Sequence, residues 1–152
     1  RVMDINAKRP FLVIQAFLDE GPWISRIVSI ASIGGKHGAP ELAHYFASKA
    51  AVVGFSCVLA LEVGLLGITV NCVCPGIIPT DMGRVNLEVA SVRAALQDKT
   101  ALARIGAQED IAGRLHFCSD DSHFVTGHLL NVSGGIVFID PGVIAIEHRD
   151  VV

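Results

Sequence analysis

Tyr45 and Lys49 stand four residues apart in the run Tyr-Phe-Ala-Ser-Lys. If that run is helical, the two side chains leave one face a single turn apart. A tyrosine with an ordinary pKa of about 10 is a poor proton donor or acceptor at neutral pH, but a cation held beside it favours the phenolate. The pair is therefore suited to general acid/base work. Taken alone, the same spacing describes many surface tyrosines beside solvated lysines. Three further features give it company. Ser32 closes Arg-Ile-Val-Ser-Ile-Ala-Ser, where a hydroxyl can hold a substrate oxygen while the phenol moves the proton. Asn6 lies in Asp-Ile-Asn-Ala, and Pro75-Gly76 is followed by Ile78 and Thr80.

The elements that must position these residues follow from periodicity. Asp4 to Leu18 has helical spacing of apolar residues and stops at Glu20-Gly21-Pro22. Arg26 to Ala31 is a β-branched run, hence a strand, followed by the Gly34-Gly35 loop. Glu41 to Leu66 reads as a long helix and Ile68 to Cys74 as an apolar strand that Pro75-Gly76 ends. A looser segment with a short helix covers Thr80 to Asp98. Gln108 to Cys118 reads as a helix with Glu109 and Asp110 well placed in its first turn, and His128 to Val132 as a last strand closed by Gly134-Gly135. Alternating helix and strand predicts an α/β fold, and strands apolar on both sides predict a parallel sheet with covered faces. Ser32, at a strand's carboxyl end, sits where such sheets place their ligands.

With 152 residues the chain is one domain at most. Apolar residues make up 51% and charged residues 18%, which excludes a disordered chain. A net charge of −3 and no basic run give no electrostatic reason to expect nucleic acid or an anionic membrane. The greasy stretch from Ala50 to Val70 is broken by Gly54, Glu62, Gly64 and Gly67 and reads as helix then strand, a poor membrane span. No secretory signal opens the chain, and Cys57, Cys72, Cys74 and Cys118 lack CxxC spacing, so buried free thiols in a reducing cytoplasm are expected. The helix from Glu41 to Leu66 is apolar nearly all round, and a helix with no wet side needs a second partner surface. A homodimer or homotetramer packed through it is expected.

In order, Asn6, Ser32, Tyr45 and Lys49, then Val-Asn-Cys-Val-Cys-Pro-Gly and Val-Thr-Gly-His-Leu-Leu-Asn-Val-Ser-Gly-Gly, resemble the short-chain dehydrogenase/reductase family from Val2 to about Phe138. The resemblance is closest to the branch with 3-oxoacyl carrier-protein reductases and sugar or polyol dehydrogenases. Thr100-Ala-Leu-Ala-Arg-Ile-Gly followed by Glu109-Asp110-Ile111-Ala112 extends it. It implies an NAD(P)-dependent oxidoreductase interconverting a ketone and a secondary alcohol, on a partial Rossmann-like, doubly wound parallel sheet. Residues 1–138 would be the catalytic C-terminal part and 139–152 a tail.

By that resemblance Tyr45 is the general acid/base, Lys49 lowers its pKa and binds the nicotinamide ribose, and Ser32 orients the substrate carbonyl. Asn6 resembles the family's fourth member, whose main-chain carbonyl holds a relay water. Pro10 has no N–H, so in a regular helix the Asn6 carbonyl would lose its usual donor; the plainer reading is a proline tolerated in a first turn. Pro75, Gly76, Ile78 and Thr80 match the loop that holds the nicotinamide end of NAD or NADP. Ser29 stands where the family often has Asn, and Ala31 where it often has Ser.

Other candidates are weaker. The six histidines (His37, His44, His116, His123, His128 and His148) lack metal-ligand spacing, although His37 could touch substrate. Arg84 and Arg93 fall in the segment that forms the substrate lid in relatives, or on a solvated face. No Gly-x-Ser-x-Gly elbow supports a serine hydrolase. The family's glycine-rich pyrophosphate turn and its residue choosing NAD or NADP are expected ahead of Arg1. The strand from Arg26 to Ala31 should then present an open apolar edge. The rival to the enzyme is a truncated, inactive oligomerisation module of the same fold.

Overall fold

The computed structural model describes residues 1–21, 25–36, 40–80 and 87–136. Its centre is a parallel sheet of three strands in the order β1 (Arg26–Ile30), β2 (Thr69–Pro75), β3 (Leu129–Val132). Arg26 lies opposite Thr69 and Ile30 opposite Val73, while Cys72 lies opposite Leu129 and Pro75 opposite Val132. β2 is buried along its length up to Pro75, as a central strand covered on both faces must be. Among the described residues β1 is an edge, and Ile30 is half exposed there.

Among the described residues four α-helices accompany these strands: α1 (Arg9–Asp19), α2 (Ala43–Val63), α3 (Ala90–Asp98) and α4 (Gln108–Ala112). α2 lies on one face of the sheet through Ser48, Val52, Ser56, Ala60 and Val63, an i, i+4 stripe of mostly small side chains. Two apolar clusters result. Val52 meets Ala31, Ile33, Cys72 and Cys74 near the carboxyl ends of the strands, and Ala60 and Val63 meet Ile27, Ile68 and Val70 near the other ends. α1 packs beside α2, with Phe11 and Phe55 edge to face at 6.0 Å. A left-handed Gly67 (φ 74°) ends the 3-10 turn Gly64–Leu66 and turns the chain into β2, a conformation that glycine adopts without steric cost.

The opposite face carries α4 and the 3-10 segment Leu115–Cys118. Arg26 reaches across to it, donating to the Ser119 carbonyl at 2.8 Å and pairing with Asp120 at 2.9 Å. Asn71, buried on β2, donates to the Val125 carbonyl and accepts from His128 N–H, which sets the entry of β3 beside β2. An open cavity of about 540 Å³ on this face is bounded by Leu130 and Val132, which alternate with Leu129 and so point away from α2.

Several boundaries differ from the sequence expectations. The first helix does not run uniformly from Asp4: Asp4–Lys8 is a π turn, and α1 begins at Arg9 with Pro10 in its first turn. The helix expected from Gln108 to Cys118 is α-helical only to Ala112, where Gly113 follows and the chain continues as 3-10; glycine is among the weakest helix formers. Glu41 stands outside α2 with a positive φ of 67°. Cys118 is exposed, whereas Cys72 and Cys74 are buried and Cys57 partly so. By length and composition alone, Ala43–Leu66 could cross a membrane, with a mean hydropathy of 1.9. His37, Arg84, His148 and the tail 139–152 lie outside the described residues.

Candidate active site

Because the sheet is parallel, the segments after β1 and β2 emerge along one edge, and the N-terminal half of α2 lies over it. Ser32 follows β1 by two residues and is extended (φ −171°, ψ 154°). Its Oγ accepts the Gly34 N–H at 3.0 Å, which caps the short 3-10 turn Ile33–Gly35 and leaves the hydroxyl proton free of any protein acceptor among the described residues.

Tyr45 and Lys49 both lie on α2 and both are half-buried. The Lys49 ammonium donates to the Ile30 carbonyl at 3.1 Å and stands 5.9 Å from the centroid of the Tyr45 ring. One side chain thus ties the end of β1, two residues before Ser32, to the helix that bears the phenol. Burial lowers the Lys49 pKa, while the nearby thiols of Cys72 and Cys74 act in the opposite sense. An ammonium has three donors, so two remain after the bond to Ile30.

Asn6 comes to the same helix from the chain's start. Its π turn is marked by Arg9 N–H donating to the Asp4 carbonyl five residues back, and such wide turns recur at functional sites. Pro10 cannot donate to the Asn6 carbonyl four residues before it. The Asn6 amide donates to Ser48 Oγ at 3.1 Å, and Ser48 Oγ donates to the Tyr45 carbonyl at 2.6 Å. The sequence reading passed over Ser48, a small polar residue between two conspicuous ones.

The loop after β2 is pinned from two sides. Gly76 N–H donates to the Val132 carbonyl at 2.9 Å and Gly106 N–H to the Ile77 carbonyl at 3.1 Å. A side chain on Gly76 would bring its Cβ within 2.8 Å of Ser133 Cα, so only glycine permits this approach to the end of β3. Thr80 N–H donates to the Ile78 carbonyl at 2.8 Å, and Thr80 itself is exposed. The cavity on the far face reaches Ile77 and Ile78 but is not lined by Ser32, Tyr45 or Lys49. Lys36, also unremarked in the sequence, bonds the Leu129 carbonyl and Asn131 Oδ1 at 3.2 and 2.7 Å, tying the loop after Ser32 to β3.

A family model described as enoyl-(acyl carrier protein) reductase matches residues 1–137. The chain belongs to the short-chain dehydrogenase/reductase family. Among curated relatives of this short-chain dehydrogenase/reductase, the 3-oxoacyl-[acyl-carrier-protein] reductase FabG of Haemophilus influenzae is 44% identical over 112 residues, 73% of this chain and 46% of that protein. A 4-hydroxyisoleucine dehydrogenase mutant solved with NADH and succinate superposes with a TM-score of 0.84 at 30% identity, over 88% of this chain and 56% of the other. A protein named as a 2-deoxy-D-gluconate 3-dehydrogenase from Agrobacterium tumefaciens, solved with NADP, gives 0.84 at 34% identity over the same shares. The chain spans about half the length of the curated relatives it matches. The fold is accordingly a part of the doubly wound Rossmann-like sheet.

Proposed function

We propose that this chain is the proton-transferring half of an NAD(P)-dependent oxidoreductase that interconverts a ketone and a secondary alcohol. The observation that carries the reading is the Lys49 bond to Ile30, which gathers the strand end of Ser32 and the helix of Tyr45 around one ammonium. Tyr45 gives its hydroxyl proton to the carbonyl oxygen on reduction and takes it back on oxidation. Ser32, with its proton unspent, donates to that same oxygen and orients it. Lys49 holds its ammonium beside the Tyr45 ring, and the Asn6 main-chain oxygen is suited to hold a relay water because Pro10 leaves it without a regular donor.

The residues present fit a nicotinamide cofactor. Two Lys49 donors and the Tyr45 hydroxyl suit ribose hydroxyls, and the pinned loop with Pro75, Gly76, Ile78 and Thr80 offers main-chain and hydroxyl groups to a carboxamide. When bound, the cofactor supplies or accepts the hydride. Relatives solved with NADH and with NADP support either cofactor here, and no described residue chooses between them. On this reading residues 1–138 act as the catalytic C-terminal part of the domain.

Exposed apolar residues on the outer sides of α1 and α2, among them Phe17, Val58 and Leu61, support a homodimer or homotetramer through the Glu41–Leu66 segment. The absence of a basic run supports a small-molecule substrate rather than nucleic acid, and the packing of Ala43–Leu66 on the sheet supports a soluble, cytoplasmic protein.

Nicotinamide fluorescence, titrated with NADH and with NADPH on the full-length protein, tests the reading when paired with oxidation of the bound cofactor by 3-oxoacyl thioesters and sugar ketones. Saturable binding and turnover of a ketone are expected. No binding of either cofactor at millimolar concentration would contradict it and favour an inactive oligomerisation module.

A further inference from the structure

Ser48 is wholly buried on α2, between Tyr45 and Lys49. A serine hydroxyl has one proton to give, and Ser48 gives it to the Tyr45 carbonyl at 2.6 Å, within its own helix. That bond fixes the hydroxyl's rotation and turns a lone pair toward Asn6, whose amide donates to it at 3.1 Å. This is the one side-chain hydrogen bond Asn6 makes among the described residues. Pro10 cannot donate to the Asn6 carbonyl, which lies in the π turn closed by the Arg9 N–H on the Asp4 carbonyl.

We infer that Ser48 is a positioning residue that anchors the Asn6 turn to the helix of Tyr45 and Lys49. It touches neither substrate nor cofactor and acts through Asn6. Alanine at 48 removes the acceptor and strands the Asn6 amide; threonine adds a methyl where the side chain has no exposed surface. The role rests on the acid/base reading of Tyr45 and Lys49 given above, since an anchored carbonyl matters to turnover only if protons pass there.

A double-mutant cycle on the full-length protein tests it, with Ser48→Ala, Asn6→Ala, the double variant and Tyr45→Phe. If Ser48 acts through Asn6, each single variant lowers kcat roughly tenfold, the size of one buried hydrogen bond, and the double variant loses no more than either. KM and NAD(P)H affinity stay within about twofold, because the contacts to both ligands are untouched. The solvent deuterium isotope effect on kcat rises in both singles, which a purely structural loss would not produce.

Wild-type kcat in Ser48→Ala, or losses that multiply in the double variant, would overturn the role. If Ser48→Ala does not fold, Asn6→Ala still decides, because its side chain lies at the surface end of the bond: unchanged kcat and isotope effect there overturn it equally. An active Tyr45→Phe would instead bring down the acid/base reading, whereas an inactive Tyr45→Phe with a fully active Ser48→Ala removes only the anchor.

Discussion

Lys49 holds its ammonium 5.9 Å from the centroid of the Tyr45 ring, one helical turn away, while its hydrogen bond goes to Ile30 on the neighbouring strand. A cation over an aromatic face is worth about 0.5–2 kcal/mol, depending on how dry the contact is. The interaction orients the ring without consuming the phenolic oxygen, which makes no hydrogen bond to the described residues and so is free to meet a ligand.

Replacing Lys49 by Met should separate stability from function. Burial lowers the Lys49 pKa below its ordinary 10.5, so the folded chain resists the charge that the unfolded chain accepts. Between the lowered value and 10.5 the unfolded state binds more protons, so this residue's effect grows more favourable as pH rises and its penalty is full below that window. Lys49→Met should therefore lose activity at least a hundredfold, about 2.7 kcal/mol, while its melting temperature at pH 7 stays level or rises. Its advantage over the wild type should shrink toward pH 10, as thermal melts at several pH values would show.

The buried pair formed by Ser56 and Ser29, at 3.1 Å, joins α2 to β1. Ser29→Ala alone strands the Ser56 hydroxyl and should cost about 1–3 kcal/mol in urea unfolding, whereas Ser29→Ala with Ser56→Ala together should cost less than the sum of the singles. Additive losses would show that the bond does not couple the two elements.

Arg104 grips Asp110 with two bonds, at 2.6 and 2.8 Å, and Asp110 also accepts the Ala107 N–H at the start of α4. The hydrogen bond from Arg104 is the main cause holding the Asp110 carboxyl well below its usual 3.8, with the Ala107 N–H next. A depressed carboxylate contributes stability that is present above its unfolded pKa and fades as pH falls toward the folded one. Asp110→Asn should thus lower the melting temperature at pH 7, and the gap to the wild type should narrow steadily as pH falls below 3.8 toward the depressed value. A gap that stays equal across that range would contradict the pairing.

Gly76→Ala should displace the loop that ends at Thr80, because its Cβ would lie 2.8 Å from Ser133 Cα and backbone cannot move aside cheaply. A stability loss of about 1–3 kcal/mol is expected together with weaker NAD(P)H binding, measured by fluorescence titration. Unchanged affinity would separate this loop from the cofactor.

Much of this architecture could be read before any coordinates. The unbroken apolar run of β2 and the apolar helix before it point to a covered parallel strand, and the order of Asn6, Ser32, Tyr45 and Lys49 fits one carboxyl edge. What escaped was set by tertiary contacts that leave no periodic trace. The π turn at Asp4–Lys8 depends on how the chain absorbs Pro10 while Asn6 reaches Ser48. The early end of α4 arises where Gly113 meets a segment too short to repay a longer helix. Ser48 acts through a hydrogen bond to a residue 42 positions away and Lys36 through bonds to residues 93 and 95 positions away, which no local pattern encodes.

The most direct test is kcat of the full-length Tyr45→Phe variant, measured with a ketone substrate and checked by circular dichroism and NAD(P)H binding. The phenylalanine keeps the ring under Lys49 and removes only the proton-bearing oxygen. Turnover should fall by about four orders of magnitude with fold and cofactor affinity retained. Turnover near the wild-type rate would contradict a phenolic acid/base at this site.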